Sequence, residues 1–289
     1  MADGQIFFGT VSHPQWVQCP AGLQRVDAGH SEEIAFGNGG IWLEESAASH
    51  AEFDLDFPVA TPGQYDGIEA IGRFAAREYG PGYLYWMDPM WADVNLFDPR
   101  FAAPGLIEQG WKNFGGNVPT FSDTGANVYG KPSRKATWTI DSAANAVFGK
   151  AFTFLIPPTH TLWLGGSGAV TGTGVLRVLP AGGVASTIAL SADAAAPAFT
   201  TSVLGSAASS ATVFLARTST AASTATLTAL WAQVLPTGQT PVITRHLPGH
   251  GTTGLKFRGK ALPEPYISAA TGQKLIGMSV SLLEVEAWE

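Results

Sequence analysis

The sequence predicts a mainly β protein of two domains, an N-terminal β-sandwich carrying one helix and a C-terminal β-sandwich of the jelly-roll type. Three observations predict it. First, Gly 34 and Pro 19 among 289 residues, with a mean hydropathy of +0.12, mark many turns between short apolar stretches. Second, the apolar residues of those stretches alternate with polar ones, as strands require. Third, charge is uneven: 16 acids and 5 bases up to Gly115 give −11, leaving +4 for the rest, which suits two domains with different surfaces. The length allows each domain its own core.

The first domain is assigned to residues 1–115. Short aromatic strands fall within 5–17 (Ile6, Phe7, Phe8, Trp16), and a further strand covers 22–27. Gly37, Gly39 and Gly40 separate 33–36 from 41–44 as in a hairpin. Residues 51–58 alternate Phe53, Leu55, Phe57 with Glu52, Asp54, Asp56, a strand with one apolar face. A helix is predicted over 66–79: Asp66 caps it, Glu69 completes a capping box, and Ile68, Ile71, Phe74 and Ala75 share a face. Gly80 and Pro81 stop it.

Residues 80–95 then concentrate Tyr83, Tyr85, Trp86 and Trp91 around Asp88-Pro89. They read as a buried strand ending in an anchored turn, with Asp93 and Asn95 extending it, because proline restricts its predecessor and Asp or Asn bonds local amides. This stretch is expected to be the keystone of the first domain's core. Met90 and Trp91, at the turn, are the candidate subunit interface.

Residues 116–132, rich in Gly, Pro and Asn, read as a linker, and 133–289 as the second domain. Its strands are expected at 136–140, 151–156, 161–164, 174–179, 186–190, 212–216, 224–235 and 276–288. In the last, Met278, Val280 and Leu282 and then Leu283, Val285 and Ala287 lie in opposite phases, which calls for a β-bulge near Leu282.

Candidate chemistry is sparse. One cysteine, Cys19, excludes an internal disulfide framework and a four-cysteine zinc site. Residues 165–169 (Gly-Gly-Ser-Gly-Ala) approach a nucleophile elbow but have alanine where the second glycine belongs, so a hairpin turn is expected there. His246 and His250 have helical ligand spacing, but Pro248, Gly249 and Gly251 forbid the helix. Asp54 and Asp56 share a strand face without the rest of a calcium loop, and read as a solvated face. Trp138 and Trp163 are candidate glycan contacts on strands of the second domain, against the alternative of core positions. No catalytic residue, cofactor or metal site is assigned. A net charge of −7 without a basic run excludes non-specific binding to nucleic acid. No basic segment leads an apolar core at the N-terminus and no apolar run reaches about 18 residues, so a soluble chain without membrane insertion or a secretion address is expected.

The helix at 66–79 followed by Gly-Tyr-Leu-Tyr-Trp-Met-Asp-Pro and then Asn95 resembles the first-domain pattern of minor tail proteins from long-tailed bacteriophages of actinobacteria. More distantly it resembles the distal tail proteins. Residues 235–238, 249–257 and 283–288 are similar to closing segments of the same proteins, so the resemblance spans nearly the whole chain. It implies a structural component of the virion tail tip, made in the host cytoplasm. The first domain would be a tail-hub-like ring former, and the sandwich would project outward. The partners implied are other tail proteins and the chain itself in a cyclic homo-oligomer, a hexamer ahead of a trimer. Adsorption to a host cell-surface glycan through a carbohydrate-binding sandwich is the alternative, and an enzyme acting on cell-wall polymers is disfavoured because no carboxylate pair or nucleophile set presents itself.

Overall fold

The computed structural model describes residues 5–11, 14–18, 22–28, 31–35, 41–45, 50–60, 84–86, 95–97, 102, 120–128, 131–140, 147–167, 174–189, 199–217, 223–242, 255–260, 264–267, 272 and 274–284. Their elements are all β-strands, gathered into several small antiparallel sheets. The helix predicted at 66–79 lies outside the described residues. Two compact units divide the chain, Met1–Leu84 with Thr253–Glu289, and Tyr85–Thr252.

The first unit begins with β1 (Gln5–Gly9) and β2 (Pro14–Gln18), an antiparallel pair that sets Phe7 opposite Trp16 with ring centroids 5.1 Å apart. Ile6, Phe7 and Phe8 are all buried, so both faces of β1 are covered. β3 (Gly22–Ala28) follows, then a hairpin of β4 (Ser31–Ala35) and β5 (Ile41–Glu45), and then β6 (His50–Ala60). β6 carries out its sequence pattern: Phe53, Leu55 and Phe57 are buried while Asp54 and Asp56 are exposed. Each buried phenylalanine or leucine contributes roughly 1.5–3 kcal/mol over an exposed one.

The second unit contains β7 (Tyr85–Trp86), β8 (Thr120–Val128), β9 (Lys131–Ile140), β10 (Val147–Leu155), β11 (His160–Ser167), β12 (Gly174–Pro180), β13 (Ser186–Ala189), β14 (Phe199–Leu204), β15 (Ser210–Arg217), β16 (Ser223–Leu227) and β17 (Ala229–Pro236). They form sheets in the orders β16-β9-β8, β10-β15-β12-β13 and β14-β11-β17. From β10 to β15 the chain passes back and forth between the last two sheets. The stretch 116–132, expected as a linker, instead holds β8 paired with β9. The single strand expected at 224–235 is two, β16 and β17. Thr228 stands between them, and its amide is taken by the Ser167 carbonyl at 2.8 Å.

Every residue of β17 from Ala229 to Leu235 is buried. Because strand side chains alternate, both faces of β17 are therefore covered, which explains its continuous apolar run. One face joins Ala232 and Val234 to Leu164 and Leu162 of β11, their cross-strand partners. On the other face Trp231 stands opposite Gly165, where the missing side chain leaves room for the indole.

β11 occupies one edge of β17. At the other edge the Asn95 side chain, fully buried, donates from Nδ2 to the Leu230 carbonyl at 2.8 Å and accepts at Oδ1 from the Ala232 amide at 3.0 Å. The Phe97 amide also reaches Oδ1, at 3.2 Å, and the Leu96 amide donates to the Ala232 carbonyl at 2.8 Å. Phe97 then packs edge-on against Phe152 and Phe154 of β10, with centroids 4.8 and 5.1 Å away. Residues 95–97 therefore serve the core of the second unit, not that of the first, which corrects the keystone role expected for the end of the aromatic stretch.

The chain returns to the first unit with β18 (Leu255–Lys260), β19 (Glu264–Ile267) and β20 (Lys274–Glu284). β20 pairs with β6, giving the order β18-β20-β6-β3, with β19 beside β20 as well. The sequence reading had grouped this closing strand with the second domain; it falls here because its pattern complements β6. Val280 and Leu282 meet Leu55 and Phe53, and Ser279 and Ser281 meet Asp56 and Asp54. The bulge expected near Leu282 is present as a register shift, with the extra residue on β18 between Phe257 and Gly259. By these units the first carries 16 acids and 7 bases, net −9, and the second 7 acids and 9 bases, net +2.

Two substitutions test this packing. Asn95→Ala removes both partners of buried backbone groups on β17 and should cost roughly 2–5 kcal/mol in denaturant unfolding. Gly205→Ala places a Cβ 1.8 Å from the Pro157 carbonyl oxygen, an overlap with backbone on every side, and should cost about 1–3 kcal/mol or more in the same assay.

Candidate functional site

Of the residues singled out in the sequence, Met90, Trp91, His246 and His250 lie outside the described residues. Trp138 lies on β9 opposite Ala225 of β16, and its side chain lies outside the described set. The structure therefore brings only Trp163 into view as a candidate contact.

Trp163 sits in the middle of β11 between Thr201 of β14 and Gln233 of β17. A β-bulge falls beside it: Leu162 pairs with Val203 but Trp163 pairs with Thr201, leaving Ser202 as the extra residue. Bulges of this kind re-aim the neighbouring side chain. The indole is half-buried, and its Nε1 is buried without a hydrogen-bond partner. A sugar-stacking tryptophan offers its ring face and its N–H to the ligand. Here the N–H points into protein, on the strand face that also carries Trp231 and Gln233.

Ser167 ends β11, so residues 165–167 are strand paired with 229–231, not the hairpin turn expected. Its Oγ is fully buried and has no hydrogen-bond partner. The β-strand placement also removes the sharp strand-to-helix turn on which a nucleophile elbow depends.

Asp54 and Asp56 lie on the exposed face of β6, each matched by a hydroxyl on β20. Ser279 Oγ donates to Asp56 Oδ1 at 3.2 Å, and Ser281 Oγ donates to Asp54 Oδ1. These are cross-strand pairs that support the β6–β20 register. Among the described residues no group of three or more His, Cys, Asp or Glu side chains is placed to hold a metal ion. The outward face of the β10-β15-β12-β13 sheet carries Arg177 over the Phe214 ring at 5.7 Å, and Thr153 bonded to Thr212 at 3.3 Å.

His160 is the buried titratable group that the sequence did not flag. It opens β11 with 5% exposure, its Nδ1 lies 3.0 Å from Thr159 Oγ1, and its backbone carbonyl accepts from the Gly205 amide at 2.8 Å. Burial holds its pKa below the ordinary 6.5, because the charged imidazolium would lose its hydration. Its signal in sequence was weak, a lone histidine after Pro157-Pro158-Thr159. What it does here is structural, tying the 156–160 connection to the 204–210 connection.

No protein-family model matches the chain, and no curated protein matches it either.

The His160 environment sets a pH dependence. The folded state resists protonation that the unfolded chain accepts, so its contribution is complete above about 6.5 and is lost progressively as the pH falls below that value. His160→Asn keeps a polar group beside Thr159 and removes the titration. Wild-type stability should fall relative to this variant between neutral and acidic pH in denaturant unfolding, and parallel profiles would refute the assignment.

Proposed function

We propose that this chain is a structural minor tail protein of a long-tailed bacteriophage virion, placed at the distal tail or tail tip. In this reading it assembles as a cyclic homo-oligomer, a hexamer ahead of a trimer, and contacts other tail proteins. The first unit supplies the tail-hub-like part. The sheets β10-β15-β12-β13 and β14-β11-β17 act as an outward jelly-roll-like sandwich.

The observation that carries the reading is the use made of its most family-like stretch. Leu84 is fully buried, and Asn95, the asparagine that follows Asp88-Pro89 in the resemblance, is spent on the backbone of β17. A motif committed in this way to backbone and core is scaffold chemistry, as a tail component needs. The charge content of 13% adds support, since a ring subunit must present broad, weakly charged surfaces to its neighbours. The alternative reading, adsorption to a host cell-wall glycan, draws on the part of the Trp163 ring that remains exposed, with Trp138 on β9 as its companion.

Copy number and position in purified virions test the proposal, by quantitative mass spectrometry and electron microscopy. A ring at the distal tail is expected, and a monodisperse monomer that never enters a tail would sink the idea. Trp91→Ala should leave the circular dichroism spectrum unchanged and lower the mass of the assembly. For the glycan alternative, wall-polysaccharide pull-down by the full chain should be lost on replacing Trp138 and Trp163 with alanine, and binding that survives both changes removes this site.

A further inference from the structure

One end of the second unit is free of charge over every described stretch that builds it. Four connections meet there: 156–160 between β10 and β11, 180–185 between β12 and β13, 204–210 between β14 and β15, and 236–242 after β17. Backbone hydrogen bonds tie them together. Ile156 donates to Ser209 and Ala181 to Ser210, at 2.8 and 2.9 Å, while Gly205 donates to His160 and Thr237 to Thr159, at 2.8 and 2.9 Å. Gly205 approaches Pro157 so closely that no side chain fits between them.

Residues 151–164, 178–189, 199–216 and 229–242 contain no Asp, Glu, Lys or Arg. The titratable side chain among them, His160, is buried. Large apolar side chains nevertheless stand out from this end: Val184 is 89% exposed and Val242 81%, with Leu204 and Leu179 also exposed. A soluble surface ordinarily scatters charge among its apolar atoms, so exposed aliphatics on a charge-free end mark a contact surface.

We infer that this end is where the second unit meets the same end of a second copy of this chain. Two observations choose that occupant. The exposed groups are aliphatic, and the four connections hold no Phe, Tyr or Trp on which a sugar ring would stack. Moreover, in a self-complementary contact a patch faces itself, so a charge near the axis would meet its own like charge. A chain of net charge −7 associates with itself most readily through a surface that carries none. The inference goes beyond the tail assignment and does not rest on it, since a ring can close through other surfaces.

The test compares the full chain with Val184→Asp/Val242→Asp and Val184→Lys/Val242→Lys variants by sedimentation over a range of concentrations. Gln24→Asp, at an exposed position of β3 in the first unit, is the control. Both positions in the double variants project into solvent, so circular dichroism and the unfolding midpoint should match wild type. Each double variant alone should self-associate about tenfold or more weakly than wild type. An equimolar mixture of the Asp and Lys variants should recover association, and the Gln24→Asp control should behave as wild type. The inference is overturned if wild type is monomeric throughout, if the double variants associate as tightly as wild type, or if the mixture fails to recover. It is equally overturned if the variants keep self-association and lose only the capture of a neighbouring tail protein.

Discussion

The second unit depends on one buried side-chain amide. β17 is covered on both faces and paired with β11 along one edge, so the backbone groups on its other edge have no route to water. Left unpaired, such groups cost several kcal/mol together. Asn95 answers two of them with a single amide, donating to Leu230 and accepting from Ala232, in the way a neighbouring strand would. Carboxamide is the side-chain chemistry that does this without a net charge, since it holds one donor and one acceptor group at fixed geometry. Once Asn95 is set, Leu96 continues the pairing and Phe97 is delivered between Phe152 and Phe154 of another sheet. A polar anchor thereby positions an aromatic one.

Local patterns were legible and remote ones were not. β6 could be read because its alternation of Phe53, Leu55 and Phe57 with acids is complete within one strand. The β4–β5 hairpin was readable from its glycines. The partner of β6 was not, because β20 lies more than 200 residues away and pairs through complementarity of two patterns, neither of which names the other. Asn95 read as a turn residue since asparagine favours turns, and its bonds to residues about 135 positions on leave no local trace. Residues 165–167 read as a turn for the same reason. Glycine also suits a strand position where a tryptophan crosses from the neighbouring strand, as Trp231 does. As for the candidate contacts, Trp163 was legible as a strand aromatic, but the inward direction of its N–H depends on the bulge at Ser202, which the sequence does not announce.

The charge distribution separates the two units in a way composition alone only approximated. The acidic excess belongs to the unit built from both ends of the chain, and the nearly neutral balance to the unit inserted within it. In the described part of the second unit, polar needs are met mostly by backbone, hydroxyl and amide groups. Such a unit is insensitive to salt where it touches others, because screening acts on charges it does not present there. A tail component must keep its contacts across the variable ionic conditions outside a cell, and this surface chemistry is compatible with that demand.

The pairing of β6 with β20 also orders events in time. β6 emerges from the ribosome long before its partner, so its edge toward β20 stays open while the second unit is synthesised in between. The second unit draws all its strands from one continuous stretch and can complete itself meanwhile. The first sheet closes last, when residues 274–284 arrive. Until then a growing chain displays an unpaired strand that alternates aromatic and acidic residues, and the repulsion among Glu52, Asp54 and Asp56 is what discourages two such chains from pairing with each other. The acids of β6 thus act before the fold exists, as guards on an edge that the finished protein no longer exposes.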